Sequence, residues 1–118
     1  MRKIILLEDD QGIREVMELI LMLENYEVQS FASVDEFRKR DQKVLPDLFI
    51  FDVRLPDGSG IDVCNEIRKD VINDDIPVVI MSAHASIKDL KGKCAANDFI
   101  AKPFELDWLL ERIKIAIN

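Results

Sequence analysis

In "FIFDVRLPDGSG", residues 49–60, a buried-looking apolar run stops at the carboxylate of Asp52, and the turn-forming Pro56-Asp57-Gly58-Ser59-Gly60 follows. Asp is a common turn residue where strands meet solvent. An aspartate at the mouth of a sheet also stands where α/β proteins place their chemistry. Three other stretches carry complementary groups: Glu8-Asp9-Asp10 after "KIILL", Ser82-Ala83-His84 after "IPVVIM", and Lys102-Pro103 after "DFIA". Carboxylates crowded into a small volume repel one another unless a cation joins them. Hard oxygen ligands in a solvated acidic pocket suit Mg²⁺, which keeps several waters and takes one or two carboxylates plus a phosphate. With an ammonium from Lys102 and a hydroxyl from Ser82, the set is an inventory for phosphoryl transfer to an aspartate nucleophile. Each signal alone is weak. An acidic triplet also reads as a solvated turn, Ser82 as a helix cap and Lys102 as a loop residue. Their weight lies in joint placement at strand ends.

For these groups to meet, the apolar runs must be neighbouring strands. Runs at 3–7, 27–31, 47–51, 76–81 and 98–101 alternate with helical stretches, and three of them are nearly continuous apolar segments, as strands covered on both faces read. Ile13, Val16, Met17, Ile20 and Leu21 form one helical stripe, and Leu106, Leu109, Leu110, Ile113 and Ile117 another. Ser33 with Glu36 reads as a capping box; Ser59 with Asp62 and Ser86 with Asp89 are weaker start signals. The β-α alternation predicts a parallel sheet with helices on both faces, with the carboxyl ends of strands one, three, four and five on one crevice. Gly58 and Gly60 are expected to serve the turn by adopting φ > 0. Gly92 falls inside the expected fourth helix, at a cost of about 1 kcal/mol relative to Ala.

The 118 residues suit one compact domain over 1–118 that needs no metal or disulfide staple. A formal net charge of −7 argues against a bare phosphate-backbone binder. No apolar stretch is long enough for a membrane span. The start "MRKIILLEDD" runs too soon into acids to be a signal peptide. Cys64 and Cys94, with no CxxC or Cys/His cluster, read as two reduced thiols of a cytoplasmic protein. His84, the single histidine, lacks the partners of a metal site.

In "ILLEDDQGIRE", "PDLFIFDVRLPDGSG", "IPVVIMSAHAS" and "DFIAKPFELDWLL" the chain resembles, over nearly its whole length, the receiver domain of bacterial two-component response regulators. The resemblance implies a flavodoxin-like (βα)5 three-layer sandwich with strand order 2-1-3-4-5. It implies that Asp52 accepts a phosphoryl group from the phosphohistidine of a histidine kinase or phosphotransfer protein. Asp9, Asp52 and the backbone carbonyl of Arg54 would bind Mg²⁺, with Glu8 acting through water and Asp10 outside the ligand set. The Ser82 hydroxyl, the Ala83 N–H and Lys102 would hold phosphoryl oxygens, and the Lys102–Pro103 bond would be cis. The Arg54 side chain is expected to be exposed. Phe99 matches the aromatic whose rotamer follows the hydroxyl. The chain departs from the family pattern in a shorter interval between Ser82 and Lys102 and in "KCAAND" before the fifth strand.

Rival readings are an Mg²⁺-dependent aspartyl-phosphate phosphatase, an FMN carrier and a phosphorylation-independent binding module. The first lacks an Asp-x-Asp after strand one, and the second lacks a Ser/Thr/Gly-rich phosphate loop there. On the last helix, Trp108 and Ile115 fall opposite the apolar stripe, so both are expected to be exposed. They mark a candidate partner surface, on the face that the family uses for dimers and targets.

Overall fold

The computed structural model describes residues 1–83 and 87–118. The readings of His84 and of Ser86 as a helix start fall outside them. Five strands form one parallel sheet: β1 (Lys3–Leu7), β2 (Glu27–Phe31), β3 (Leu48–Asp52), β4 (Val78–Ser82) and β5 (Asp98–Ala101). Their order is β2-β1-β3-β4-β5, so the expected flavodoxin-like arrangement is what the chain adopts. The helices are α1 (Gln11–Leu23), α2 (Val34–Arg38), α3 (Gly60–Arg68), α4 (Ile87–Leu90) and α5 (Leu106–Ile117). A two-residue ladder pairs Arg54–Leu55 with Gly58–Ser59 in the turn after β3.

Side chains alternate across a strand, and here both faces are apolar. Ile4, Leu6, Leu48, Ile50, Val79, Met81 and Ile100 point to one side, onto Met17 and Leu21 of α1 and Leu109 and Ile113 of α5. Ile5, Leu7, Phe49, Phe51, Val78 and Ile80 point to the other, onto Val34 and Phe37 of α2 and Val63, Cys64 and Ile67 of α3. Phe37 anchors that second layer with its ring edge-on to Phe51 at 5.4 Å, and the Arg40 guanidinium covers the ring at 3.9 Å. The sheet is thus sealed on both faces, and its chemistry is left to the strand ends.

Several expectations need correction. β3 and β4 end on Asp52 and Ser82 themselves, one residue later than the apolar runs suggested, because pairing continues through Asp52–Met81 and Ser82–Ala101. Val16 and Leu106 do not join the core; they are 51% and 46% exposed. α4 stops at Leu90, so Gly92 lies beyond it, at φ +89. That left-handed conformation carries no Cβ penalty for glycine, and Gly92 serves a helix exit where an interior cost was expected. Neither Gly58 nor Gly60 has a positive φ. Gly60 is small for another reason: a Cβ there would lie 2.2 Å from the Asp52 carbonyl oxygen. The Ser33 cap forms as expected on the Glu36 N–H at 3.2 Å, but the Glu36 carboxylate accepts from Ala32 N–H at 2.7 Å, one residue before the cap.

Candidate functional site

Register brings the strand-end residues together. Leu7 pairs with Phe51, so Glu8 emerges level with Asp52. Met81 pairs with Asp52 and Ser82 with Ala101, so Ser82 and Lys102 follow one step further along the same edge. The Lys102 N–H donates to the Ser82 carbonyl at 2.9 Å, and the Val53 N–H to that of Met81 at 3.0 Å, extending the ladder past the last strand residues. Glu8, Asp9, Asp10, Asp52, Arg54, Ala83 and Lys102 line a crevice of about 330 Å³. A larger apolar groove of about 550 Å³ adjoins it, walled by Val16, Pro103, Phe104 and Leu106 and sharing Ala83 and Lys102. It holds no carboxylate, so the chemistry belongs to the smaller crevice.

Among the described residues, Glu8, Asp9 and Asp52 form an acidic group whose ligand oxygens lie within 4.8 Å of one another. Glu8 is fully buried, Asp52 nearly so at 7% exposure, and Asp9 faces solvent. Lys102 Nζ lies 2.5 Å from Glu8 Oε1 and 3.3 Å from Asp52 Oδ2. Burial pushes the Glu8 carboxyl up; the Lys102 bond pulls it down without cancelling the rise, and the Asp52 charge adds to it. Burial also raises the Asp9 carboxyl, and the neighbouring Glu8 raises it further. Burial alone would lower the Lys102 ammonium, but the Glu8 hydrogen bond and the charges of Glu8 and Asp52 win, and its net direction is up. One ammonium, that of Lys102, against the three carboxylates of this group leaves the group short of positive charge. Hard oxygen donors so spaced fit a divalent cation such as Mg²⁺.

The third acidic residue has a different task. Asp10 caps α1, its carboxylate accepting from Ile13 N–H at 3.0 Å. Glu8 and Asp9 are steadied from the backbone side by Arg14, whose guanidinium donates to their carbonyls at 2.9 and 3.3 Å. The turn after Asp52 is pinned twice. Gly60 N–H donates to the Val53 carbonyl at 3.0 Å. Asp57 accepts from Val34 N–H at 2.8 Å and Asp35 N–H at 2.9 Å, capping α2 from a distant segment. Those two bonds lower the Asp57 carboxyl. The sequence reading missed Asp57 and Arg14. A Pro-Asp-Gly turn signals its own geometry but does not name the helix that its carboxylate will cap.

The remaining site residues divide. Ser82 is buried at the end of β4, Ala83 is exposed beside it, and the Arg54 side chain is exposed as expected. The Lys102–Pro103 bond is cis. Phe99 lies half-buried on the α3 side of the sheet, outside the crevice. Trp108 and Ile115 are 41% and 66% exposed on α5, away from the crevice. The Arg112 guanidinium lies 5.4 Å from the Trp108 ring centroid and is held there by Asp98 at 2.5 Å.

Residues 4–114 match the family described as response regulator receiver domain. The chain is 30% identical over 120 residues to the DNA-binding dual master transcriptional regulator RpaA of Synechocystis, covering 100% of this chain and 50% of that protein. It thus spans about half the length of the curated relatives it matches. Among solved structures, a putative response regulator from Chloroflexus aurantiacus superimposes with a TM-score of 0.90 at 32% identity, over 98% of this chain and 97% of that one. The response regulator TrrA of Thermotoga maritima, in complex with Mg²⁺-BeF, does so at 0.87 and 29% identity, over 98% and 99%. No helix among the described residues is long and apolar enough to cross a membrane.

Proposed function

The chain belongs to the response regulator receiver domain family, and from that membership we propose that it is a phosphorylation-driven switch with Asp52 as the phosphoryl acceptor. The observation that carries the reading is the crevice geometry: Lys102 bridges Glu8 and Asp52 at 2.5 and 3.3 Å, with Asp9 completing an acidic group. Asp9, Asp52 and the Arg54 carbonyl would hold Mg²⁺ directly, and Glu8 would do so through water. When bound, the ion screens the charge that builds on phosphoryl oxygens. A carboxylate oxygen of Asp52 attacks phosphorus, the P–N bond of a phosphohistidine breaks, and the imidazole leaves with the electron pair. Lys102, already beside Asp52, follows the new charge with little travel. The Ser82 hydroxyl and the Ala83 N–H supply donors to the phosphoryl oxygens.

The donor is a histidine kinase or phosphotransfer protein in the cytoplasm, and the domain catalyses only its own phosphorylation and dephosphorylation. Phosphorylation biases a two-state element that includes Phe99 and alters the face formed by α4, β5 and α5, where Trp108 and Ile115 offer a partner or homodimer surface. Support for the switch reading over a phosphatase comes from the TrrA likeness, a response regulator bound to Mg²⁺-BeF. Intact-mass measurement after incubation with Mg²⁺ and acetyl phosphate tests the proposal. One phosphate is expected on the wild type and none on Asp52→Asn. Equal incorporation into the mutant overturns the assignment, and sustained turnover of acetyl phosphate without a phosphorylated species favours the phosphatase.

A further inference from the structure

Away from the acidic crevice, two thiols share one apolar cluster on the α3 side of the sheet. Cys64 of α3 is fully buried, and Cys94, in the segment between α4 and β5, is half-buried against the same apolar cluster. The backbone around Cys94 is gripped from α3 on both sides. Asn65 Nδ2 donates to the Lys93 carbonyl at 3.0 Å, and Arg68 Nε donates to the Ala95 carbonyl at 3.0 Å. Arg68 also reaches Asn97 Oδ1 at 3.2 Å, and Asn97 Oδ1 receives the Val78 N–H at 2.9 Å, which anchors the segment to β4 as well. The backbone on either side of Cys94 is therefore tied to α3, the helix that carries Cys64. Burial pushes the Cys64 thiol up to about 12, and the neighbouring Cys94 adds to the rise. Both cysteines are free thiols in this structure.

We propose that Cys64 and Cys94 form a reversible redox site that closes to an intramolecular disulfide when hydrogen peroxide oxidises Cys94. Cys94 is the partner that a small oxidant can reach. Its thiolate attacks one peroxide oxygen, the O–O bond breaks, and the departing hydroxide takes up a proton to become water, leaving a sulfenic acid. The Cys64 sulfur then attacks the Cys94 sulfur. The S–O bond breaks, and the oxygen leaves as a second water, carrying the Cys64 proton. Two electrons pass from the sulfurs to the peroxide. Cys64, held as a thiol by its apolar surroundings, resolves the intermediate but does not start the reaction. The bond would fasten the approach to β5 onto α3, and a dithiol reductant would release it.

Intact-mass analysis of the peroxide-treated full chain, with peptide mapping, tests the site. Wild type is expected to lose two hydrogens (about 2 Da), to show a Cys64–Cys94 cross-link, to remain monomeric on a non-reducing gel, and to regain its mass with dithiothreitol. Cys64→Ala, which keeps the cluster apolar, should stop at a sulfenic acid on Cys94 that dimedone traps. Cys94→Ser should consume peroxide several-fold more slowly than wild type. The proposal is overturned if wild type gains two oxygens as sulfinic acid in place of the cross-link, or links only between molecules. It is equally overturned if Cys94→Ser reacts as fast as wild type. The readouts need neither Mg²⁺ nor Asp52, so Asp52→Asn should oxidise like wild type whatever becomes of the phosphoryl-acceptor reading.

Discussion

Lys102 lies closer to Glu8 than to Asp52, at 2.5 Å against 3.3 Å. The lysine expected to serve a phosphoryl group thus has a resident partner across the crevice, and both side chains are shielded, at 11% and 0% exposure. Removing one member of a buried pair leaves an uncompensated charge, typically at about 3–5 kcal/mol. Lys102→Met should lower the denaturant midpoint by a corresponding amount, and Mg²⁺ should restore part of the loss by supplying another cation. A midpoint equal to that of wild type would show that the pair contributes no net stability.

Asp9 and Asp10 are neighbours with separable tasks. Asp10→Ala should cost about 1 kcal/mol as the loss of a helix cap and leave Mg²⁺ affinity nearly unchanged. Asp9→Ala should leave apo stability close to wild type and weaken Mg²⁺ binding at least tenfold. Thermal melts across a Mg²⁺ titration read both effects. If Asp10→Ala is the variant that loses Mg²⁺, the order of ligands along the chain is displaced by one.

Acid should act on the crevice and on the α2 cap with opposite sign. Glu8 and Asp9 are raised above 4.5 and 3.8, so the folded state holds their protons more tightly than the unfolded chain does. Without added cation, their contribution therefore falls as pH rises from those ordinary values through the raised ones. The melting-temperature gain from Mg²⁺ should grow over the same window, because the cation competes with protons. Asp57 is lowered from 3.8, so its stabilisation is present above that value and is lost as pH falls through the folded one. Asp57→Asn should flatten the acid limb of the stability profile below about pH 4. An unchanged limb would remove the cap from the account.

Among the described residues, Arg68 of α3 donates to five acceptors. Its Nη1 reaches the carbonyls of Asn73, Asp74 and Ile76 at 2.8, 3.2 and 2.6 Å, in addition to the bonds to Ala95 and Asn97. Arg68→Ala strands several acceptors at once and should destabilise by about 2–4 kcal/mol. Arg68→Lys should recover less than half of that, because an ammonium cannot fork toward both the β4 and β5 approaches. Urea unfolding of both variants gives the comparison.

Trp108, at 41% exposure beneath Arg112, should be quenched readily by acrylamide in the apo protein. Its emission should shift on addition of Mg²⁺ and beryllofluoride if the α5 face takes part in the switch. Sedimentation of wild type and Trp108→Ala under both conditions separates a self-association surface from a local response. An indole inaccessible to quencher would contradict the exposed placement.

The sheet was legible because β1, β3 and β4 are nearly continuous apolar runs of strand length, as strands covered on both faces read. The acidic crevice was legible because its members stand at the ends of those runs. The Glu8–Lys102 pair was not, since it joins residues 94 apart in the chain and either side chain alone reads as solvated. Asp57 was hidden for the same reason: its carboxylate serves a helix whose sequence carries its own capping serine. Val16 and Leu106 obey the helical period but fall where α1 and the start of α5 leave a groove between them, and periodicity alone cannot tell a stripe's core from its margin. Gly92 was misjudged because α4 ends at Leu90, two residues before it.

Gly60 has a mechanical consequence. Its Cα faces the Asp52 carbonyl so closely that an added methyl would stand 2.2 Å from the oxygen and 3.0 Å from the Phe51 Cβ. The end of β3 and the first turn of α3 are therefore butted together without slack. A force applied at the Asp52 backbone is transmitted directly into α3, whose far end is braced by Arg68 against the approaches to β4 and β5. The crevice then has one stiff wall, β3 backed by α3, and any compliance must be drawn from its other sides. Gly60→Ala would shim that joint and tilt the stiff wall, displacing Asp52 while every side chain of the crevice remained present.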